Sequence, residues 1–365
     1  MIERIPSRQT RSRQVSRRQL LALLPVTAAG AEVKAPAWRK ALPGYRYQFP
    51  RDHFSHPEFQ TEWWYYTGNV TTPQGRPFGF ELTFFRQGID PVPSQAVWSV
   101  DQVYLAHLAL SDIERQRFYH YERLNRSGPG LAGIDPERQR IWNGNWQIQW
   151  HNGDQHLAAV APEFNLKLAL HSDKPPVIHG KDGISQKSPG EGRASHYVSF
   201  TRLLASGELE LAGQKLKLAG TAWMDHEIFT NHLGDQLSGW DWLSLQLANG
   251  TELMVYRLRR KDGSIEPLSH GTFIDTSGRA RGLTLEEFSF TPSGRTWNRY
   301  PLEWRVKVPS LGIDLEVSTP MENQQLVSTN RFSPSYWEGA VRVKGQPGTG
   351  VGYLEMTGYD TPLNI

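Results

Sequence analysis

The chain has 365 residues, of which 38% are hydrophobic and 21% are charged, and it contains no cysteine. This composition supports packed cores in one large or two ordinary domains, and the lack of cysteine excludes disulfides, thiolate nucleophiles and cysteine-ligated zinc or iron–sulfur centres. The formal net charge of +3 is concentrated at the N-terminus, where residues 1–31 hold six arginines and one acid. The nearly neutral remainder gives no electrostatic support for a nucleic-acid partner.

The first 31 residues have the pattern of an export signal. Arg17 and Arg18 precede a short apolar run at residues 20–31, which ends in Ala-Gly-Ala. This pattern predicts export by the twin-arginine route and a mature protein in the periplasm. The alternative is a disordered basic N-terminus that stays attached. No run of about 18 apolar residues occurs, so we expect no membrane-spanning segment.

From residue 45 the sequence is typical of β-structure. Short runs rich in Val, Thr, Trp, Tyr, Phe and Leu are separated by Gly, Pro, Asn and Asp. Residues 128–140 and 172–193 are predicted loops, and the second is long enough to form a lid. The N-terminal half contains eight predicted strands, at residues 62–70, 78–86, 103–111, 117–121, 146–150, 156–160, 165–170 and 196–203.

The C-terminal half contains a comparable set, at residues 240–247, 252–259, 271–275, 284–290, 302–308, 313–318, 338–343 and 351–357. Eight antiparallel strands suit an up-and-down barrel that holds one ligand, with an open sandwich as the alternative. Residues 62–67 and 239–244 are similar aromatic-rich strand starts, which indicates a duplication. The predicted fold is all-β, with two lipocalin-like (calycin) antiparallel β-barrels in tandem at residues 45–220 and 221–365.

Three consecutive titratable residues, Asp225, His226 and Glu227, are the clearest candidates for chemistry, and His232 follows them. On a strand, the two carboxylates point to one face and the imidazole to the other. One carboxylate is then free to act as an acid or base. Their spacing fits no zinc motif, so we expect no metal. The alternative is a domain-linking turn with solvated charges.

Glu62 begins a second cluster, because four aromatic residues follow it at positions 63–66. A carboxyl group in an aromatic wall tends to have a raised pKa, which suits protonation of an alkene. The alternative is a plug at one end of the barrel, in which Glu62 pairs with Arg86 or Arg202.

The third cluster is Asp241 between Trp240 and Trp242, and the pattern does not decide which face points inward. His107, in an apolar strand, fits either a core histidine or a lining residue. No nucleophile elbow, phosphate loop or dinucleotide motif occurs, so we expect no cofactor. Residues 337–339 and 355–359 are weaker lining candidates. The predicted ligand-binding residues are Trp63, Trp64, His107, Tyr197, Arg202, Trp240 and Trp242, and the predicted catalytic residues are Asp225, His226, Glu227, Glu62 and Asp241.

Five blocks together resemble the AttH-type proteins, which group with the carotenoid 1,2-hydratases (hydroxyneurosporene synthases). The resemblance extends from about residue 45 to the C-terminus. It implies two lipocalin-like domains in tandem and a lineage shared with hydro-lyases and fungal cyclases. It also implies an ABC permease of the lipoprotein-release type as a partner. The blocks are residues 62–68, 107–112, 222–227, 239–242 and 336–339.

Two functions are compatible with these observations. The first is a periplasmic protein that binds an apolar lipid- or isoprenoid-like ligand for an ABC-type transport system. The alternative is a cofactor-free hydro-lyase or cyclase of the carotenoid 1,2-hydratase type. In that case Asp225, Glu62 or Asp241 protonates an alkene, while aromatic faces such as Trp64, Trp240 and Tyr197 stabilise the cation. His226 would orient the acid or activate water. A hydrolase is a third and less favoured option.

Overall fold

Two large antiparallel sheets contain most of the residues that can be described. The structure is a computed structural model, and it describes residues 37–92, 100–128, 130–230, 233–330 and 335–360. The predicted export signal at residues 1–31 and His232 lie outside these ranges. Within them, no helix is long and apolar enough to cross a membrane.

The first sheet has thirteen strands within the described ranges. They are β1 (Thr61–Thr71), β2 (Pro77–Gly88), β3 (Gln102–Asp112), β4 (Arg117–Arg126), β5 (Ala132–Asp135), β6 (Arg140–Asn143), β7 (Trp146–His151), β8 (Asp154–Val160), β9 (Phe164–Ser172), β10 (Val177–Ile178), β11 (Ser185–Gln186), β12 (Ala194–Leu211) and β13 (Gln214–Phe229).

The second sheet begins after Phe229 and has ten strands in the part of the chain that is described. A separate hairpin is formed by β19 and β20, and two short 3-10 turns lie at Arg51–His53 and Pro309–Leu311. In chain order the strands are β14 (Leu237–Leu247), β15 (Glu252–Arg260), β16 (His270–Ile274), β17 (Ala280–Thr284), β18 (Ser289–Pro292), β19 (Thr296–Trp297), β20 (Tyr300–Pro301), β21 (Glu303–Val308), β22 (Ile313–Ser318), β23 (Gln325–Leu326), β24 (Tyr336–Gln346) and β25 (Gly350–Thr357).

The first sheet curls into a nearly closed barrel, with the order β4-β3-β2-β1-β13-β12-β9-β8-β7-β6-β5. Side chains bridge the gap between its two ends. Arg123 Nη1 donates to the Asn143 carbonyl at 2.8 Å, and Asn125 Nδ2 donates to Asn143 Oδ1 at 2.6 Å. Apolar side chains including Trp64, Phe80 and Trp146 fill the interior of this barrel. The interior is therefore a packed core, and substrate chemistry has to be sought elsewhere.

The second sheet forms a half-barrel with the order β17-β16-β15-β14-β25-β24-β22-β21-β18. Its concave side is filled by a second apolar core that includes Leu243, Trp304 and Leu354. The prediction of an all-β fold with two barrel-like halves is thus confirmed, with the second half more open than expected.

The two sheets pack against each other, so their central strands are buried on both faces. A third apolar cluster lies between the sheets and includes Tyr65 and Trp223 of the first sheet and Trp242 of the second. The backbones come close at Gly79, where an added Cβ would lie 2.8 Å from the Cβ of Ala340. These strands nevertheless carry buried polar residues, among them Glu62, Asp225 and Glu227. The polar residues that do lie there are the ones that need an explanation.

The structure differs from the sequence prediction at several places, and the predicted loop at 128–140 contains β5. Strand β13 crosses the expected boundary at residues 220 and 221 and stays in the first sheet, where it pairs with both β1 and β12. The strand predicted at 284–290 is wrong, because the Glu287 amide turns back to bond the Thr284 carbonyl at 3.0 Å and separates β17 from β18. The predicted loop at 172–193 contains β10 and β11, which both pair with β12.

Candidate functional site

Strand β13 sends neighbouring side chains to opposite faces of the first sheet. Asp225 lies opposite Tyr65 of β1 and faces the second sheet, as does Glu227. His226 faces the barrel interior, where its ring stacks on Trp64 with centroids 4.7 Å apart. The alternation expected from the sequence is present. It divides the predicted catalytic residues between two separate environments.

Asp225 lies between the sheets and is held by three neutral donors. Its Oδ1 accepts hydrogen bonds from Trp223 Nε1, at 2.6 Å, and from the Ser199 hydroxyl. Its Oδ2 accepts the Tyr197 hydroxyl at 2.6 Å, and Trp242 Nε1 donates to that hydroxyl at 3.0 Å. Asp225 is only 4% exposed. Among the described residues Oδ2 accepts one hydrogen bond, so its second lone pair remains for a proton or a ligand.

Burial raises the pKa of Asp225 to about 7, and the negative charge of Glu227 contributes to this rise. The hydrogen bonds from Ser199, Tyr197 and Trp223 act in the opposite direction. A carboxyl group with this pKa is present in both its acidic and its basic form near neutral pH. This is the protonation behaviour that general acid–base catalysis requires.

His179, from the segment between β10 and β11, hydrogen-bonds to Ser199, whose hydroxyl donates to Asp225. Its Nε2 lies 2.7 Å from Ser199 Oγ, and its Nδ1 lies 2.8 Å from Thr272 Oγ1. Burial lowers the pKa of His179 well below its usual value, so the ring is neutral. Because the Ser199 hydroxyl donates its proton to Asp225, it accepts a hydrogen bond from His179. The Nε2 of His179 therefore carries the proton, and its Nδ1 accepts the Thr272 hydroxyl.

Glu227 lies beside Asp225 on the same face and forms a buried ion pair. Its Oε1 is 3.0 Å from Lys187 Nζ and accepts the Ser195 hydroxyl at 2.7 Å. Lys187 Nζ also lies 4.1 Å from the ring centroid of Tyr256. Burial by itself would lower the pKa of Lys187, but Glu227 and Tyr256 outweigh this and raise it. The ammonium is therefore charged and pairs with Glu227 beside Asp225.

Glu62 belongs to a different network, at one end of the barrel interior. Its Oε1 lies 2.8 Å from both His56 Nδ1 and His226 Nε2, and its Oε2 accepts Arg86 Nε at 3.1 Å. Burial by itself would raise the pKa of Glu62, but the two imidazoles and the guanidinium outweigh it and hold the pKa well below its usual value. Glu62 is thus an ionised, paired carboxylate, which fits the plug considered above, with Arg86 as its partner.

His56, Glu62 and His226 also bring potential metal-ligand atoms within 4.8 Å of one another. These atoms already form hydrogen bonds with one another, and Arg86 supplies the positive charge that Glu62 needs. Burial by itself would lower the pKa of His56. The Glu62 and Asp52 carboxylates outweigh burial and raise this pKa to about 9. His56, Glu62, His226 and Arg86 thus form a hydrogen-bonded ion-pair network.

Asp241 and Arg202 each lie in an ion pair outside the Asp225 site. Asp241 faces the half-barrel core and accepts Arg257 Nε at 2.6 Å and the Tyr359 hydroxyl at 2.9 Å. Arg202 Nε donates to Glu252 Oε1 at 2.5 Å, so Arg202 is not the partner of Glu62.

His107 and the remaining predicted tryptophans lie at the interface between the two sheets. His107 Nδ1 lies 2.6 Å from the Tyr336 hydroxyl, and burial lowers the pKa of His107 to about 4. Trp240 Nε1 donates to Glu355 Oε1 at 2.9 Å. The Trp63 ring packs edge-on against Phe229, with centroids 4.7 Å apart. Tyr197, Trp63, His107, Trp240 and Trp242 therefore lie on the side of Asp225, whereas Trp64 does not.

Sequence reasoning missed several residues that the fold brings to this region. His179 and Lys187 lie in a segment without regular periodicity, so no local pattern could identify them. Glu81 had a detectable signal, because it is a single charge within the apolar run at residues 78–85. A charge in a buried strand needs a specific reason to be there.

Comparison with known proteins agrees with this architecture. A family model described as AttH-like matches residues 40–359. The crystal structure of an AttH protein from Nitrosomonas europaea is 32% identical, covers 88% of this chain and 99% of that one, and superposes with a TM-score of 0.79. Kievitone hydratase from Nectria haematococca shares the fold at 16% identity, with a TM-score of 0.64 over 88% of this chain and 98% of that one.

Among curated proteins, Dehydratase asqC from Emericella nidulans is 22% identical over 196 residues. The match covers 51% of this chain and 54% of that protein, so it spans about half of the relative. The family model and the Nitrosomonas structure cover nearly all of the described chain. This protein is therefore a member of the AttH-like family.

Proposed function

We propose that this protein is a cofactor-free hydro-lyase that acts on a carbon–carbon double bond or on the corresponding alcohol. The observation that carries this proposal is the environment of Asp225. It is a buried carboxyl group between two sheets, surrounded by aromatic side chains, whose pKa lies near 7. A structural aspartate would instead be paired with a base, as Asp241 is with Arg257.

The reaction requires one proton donor and a stabilised cation. In the hydration direction, Asp225 transfers its proton to one alkene carbon, and the other carbon becomes cationic. The rings of Tyr65 and Trp242, with centroids 5.5 Å apart, provide π-faces near this charge. Water then bonds to the cationic carbon and loses a proton to the Asp225 carboxylate, which restores the acid. Dehydration follows the same steps in reverse.

The relatives support this reaction class over the binding-protein interpretation. One structural neighbour is named a hydratase and one curated relative a dehydratase, and these names describe the addition and the removal of water. The similarity of the former extends only to the fold. A protein that only binds an apolar ligand would have no need of a buried acid poised between its two ionisation states. Periplasmic location and an ABC permease partner remain proposals, based on the predicted export signal and the family resemblance.

The test follows oxygen exchange with solvent. Purified protein is incubated in ¹⁸O-labelled water with isoprenoid alkenes, prenylated phenols and their tertiary alcohols, and products are measured by mass spectrometry. We expect ¹⁸O-labelled alcohol or the matching alkene, and we expect Asp225→Asn to lower the rate about 10²- to 10⁴-fold. If Asp225→Asn keeps the turnover of the wild type, Asp225 is not the proton donor.

Two further variants make the result interpretable. Asp112→Asn is the matched control, because Asp112 is equally buried in the first sheet but is paired with Arg76 away from the site. It should retain the rate. Tyr197→Phe removes one hydrogen bond to Asp225 and should lower the rate less than Asp225→Asn does. Circular dichroism of each variant establishes that it is folded.

A further inference from the structure

Three further acids meet between the two sheets. Glu338 of β24 lies directly opposite Glu355 of β25, and Glu81 of β2 approaches them from the first sheet. Glu81 and Glu338 have no exposed surface. Two like charges opposite each other on neighbouring strands are destabilising, and a third on the facing sheet adds to the cost. Such an arrangement needs a compensating feature.

No basic side chain provides that compensation within the described residues. The donors to the acids are neutral: the Tyr65 hydroxyl donates to Glu338 Oε2 at 3.1 Å, and Trp240 Nε1 donates to Glu355 Oε1. Charged neighbours that act on these carboxyls are themselves acids. Burial raises the pKa of Glu81 and of Glu355 to about 8, and raises that of Glu338 well above its usual value. Near neutral pH the group therefore contains neutral carboxylic acids, which donate hydrogen bonds.

The acids bond partly to one another, and one hydroxyl beside them has no partner in the part of the chain that the structure describes. Glu81 and Glu338 hydrogen-bond to each other, as neutral carboxyls can, whereas the hydroxyl of Tyr353 is buried without a hydrogen bond. Tyr353 lies two residues before Glu355 on the same strand face, and all three acids act on its hydroxyl. Buried polar atoms are nearly always bonded, if not by protein then by water or a ligand. The Tyr353 hydroxyl consequently marks, beside these acids, a place for a polar atom that the described protein itself does not supply.

A metal ion does not fit this place. The three acids do not bring one oxygen each within 4.8 Å of one another, whereas His56, Glu62 and His226 elsewhere in the described chain do. Calcium and magnesium require several oxygens at 2.0–2.6 Å from one centre. Neutral acids together with a phenol hydroxyl instead suit an oxygen atom that accepts hydrogen bonds.

We propose that Glu81, Glu338 and Tyr353 form a donor pocket that binds a carbonyl or hydroxyl oxygen of the substrate. The pocket lies near the catalytic region, because the charge of Asp225 acts on Glu355. This inference rests on the proposed function and narrows its substrate class. The substrates are oxygenated molecules with a polar oxygen near the reacting bond, and unsubstituted hydrocarbons are poor ligands.

The test measures binding rather than turnover. The probes are 4-phenylbut-3-en-2-one, which carries a carbonyl oxygen, and 1-phenylbut-1-ene, which lacks it. Tryptophan fluorescence gives both dissociation constants, and the infrared C=O stretch of the bound enone reports hydrogen bonding directly. We expect the wild type to bind the enone at least about 10-fold more tightly, as one or two good hydrogen bonds would give, with a lowered C=O frequency.

Variants assign the effect to the pocket. Glu338→Leu should abolish the preference for the enone and restore the C=O frequency of the free molecule. Glu338→Gln keeps an N–H donor, so it should retain part of the preference and part of the lowering of the C=O frequency. Equal binding of the two probes to the wild type, or an unchanged preference in both Glu338→Leu and Glu81→Leu, would overturn the proposal. A specific rise in melting temperature with Ca²⁺ that Glu338→Leu removes would overturn it in favour of a cation site.

The same probes separate this inference from the proposed function. Asp225→Asn keeps all the donors of the pocket, so it should bind the enone with the wild-type preference while losing turnover. If Asp225→Asn keeps turnover but the preference still depends on Glu338, the acid assignment fails and the pocket stands. If turnover is lost in Asp225→Asn and no preference exists, the pocket fails and the hydro-lyase stands.

Discussion

Asp225 and Glu62 show how the surroundings set the state of two buried carboxyl groups. Glu62 meets Arg86 and two imidazoles and is held ionised. In the part of the chain that the structure describes, the donors to Asp225 are neutral, and its pKa is about 7. The difference arises because neutral hydrogen bonds offset only part of the desolvation of a charge, while an opposite charge offsets most of it. Asp225 alone of the two is therefore suited to gain and lose a proton near neutral pH.

The Ser199 hydrogen bond should be measurable in the pH profile. This bond lowers the pKa of Asp225, so Ser199→Ala should raise that pKa by about one unit, as the loss of a hydrogen bond to a charged group implies. The midpoint of the pH dependence of kcat/KM should shift upward by the same amount. Thr272→Val is the matched control, since it removes the other bond of His179 without touching Asp225. A midpoint that does not move in Ser199→Ala would contradict this account of Asp225.

At the scale of elements, β1 and β13 are central because they serve two interiors at once. Glu62, Trp64 and His226 point into the first barrel, while Tyr65 and Asp225 point toward the second sheet. The ion-pair network around Glu62 stabilises β1 and β13 from the barrel side. Asp225 lies on the opposite face of the same strands. Arg86 of β2 is its key member, because it also donates to the carbonyls of His56 and Phe59 and so fixes the segment that precedes β1.

Loss of Arg86 should therefore destabilise the fold. Arg86→Met leaves the Glu62 carboxylate buried without its guanidinium, which we expect to cost about 3–5 kcal/mol of unfolding free energy. Denaturant unfolding followed by tryptophan fluorescence provides the measurement. The control is Arg138→Met, which breaks the exposed pair with Asp135 and should change stability by less than about 1 kcal/mol. A similar small effect in both variants would show that the network is not structurally important.

At the scale of the whole molecule, the interface between the sheets links stability to pH. The carboxyls of Glu81 and Glu355 have pKa values raised from 4.5 to about 8 in the folded state. Between these values the folded protein binds more protons than the unfolded chain. The contribution of these two carboxyls to the free energy of unfolding is therefore greatest below about pH 4.5. It falls as the pH rises and levels off above about pH 8.

Removal of one such acid should flatten this dependence. For each carboxyl the fall is at most about 1.4 kcal/mol per pH unit, so Glu81→Gln should reduce the slope of unfolding free energy between pH 5 and pH 8. Urea unfolding at several pH values measures the slope. Glu316→Gln, at an exposed acid of β22, should leave it unchanged. If Glu81→Gln has the wild-type slope, Glu81 is already ionised at neutral pH and cannot act as a donor.

The local structure and the family follow from the amino-acid sequence alone. The period of two predicted that Asp225 and His226 point to opposite faces, and apolar runs between turn residues predicted most strands, such as Ile313–Ser318. Glu62 and its pairing with Arg86 were also within reach, because the two residues lie on neighbouring strands of one hairpin.

The position of the site, in contrast, depends on how the two sheets pack. Strand alternation separates two faces but does not say which one becomes a barrel interior, because that depends on how each sheet curves and what packs against it. Asp225 is therefore at the interface between the sheets rather than inside a barrel. Its neighbours His179, Trp242 and Glu355 come from distant parts of the chain. Contacts of that range leave no periodic signal in a single sequence, since they arise from the packing of whole sheets.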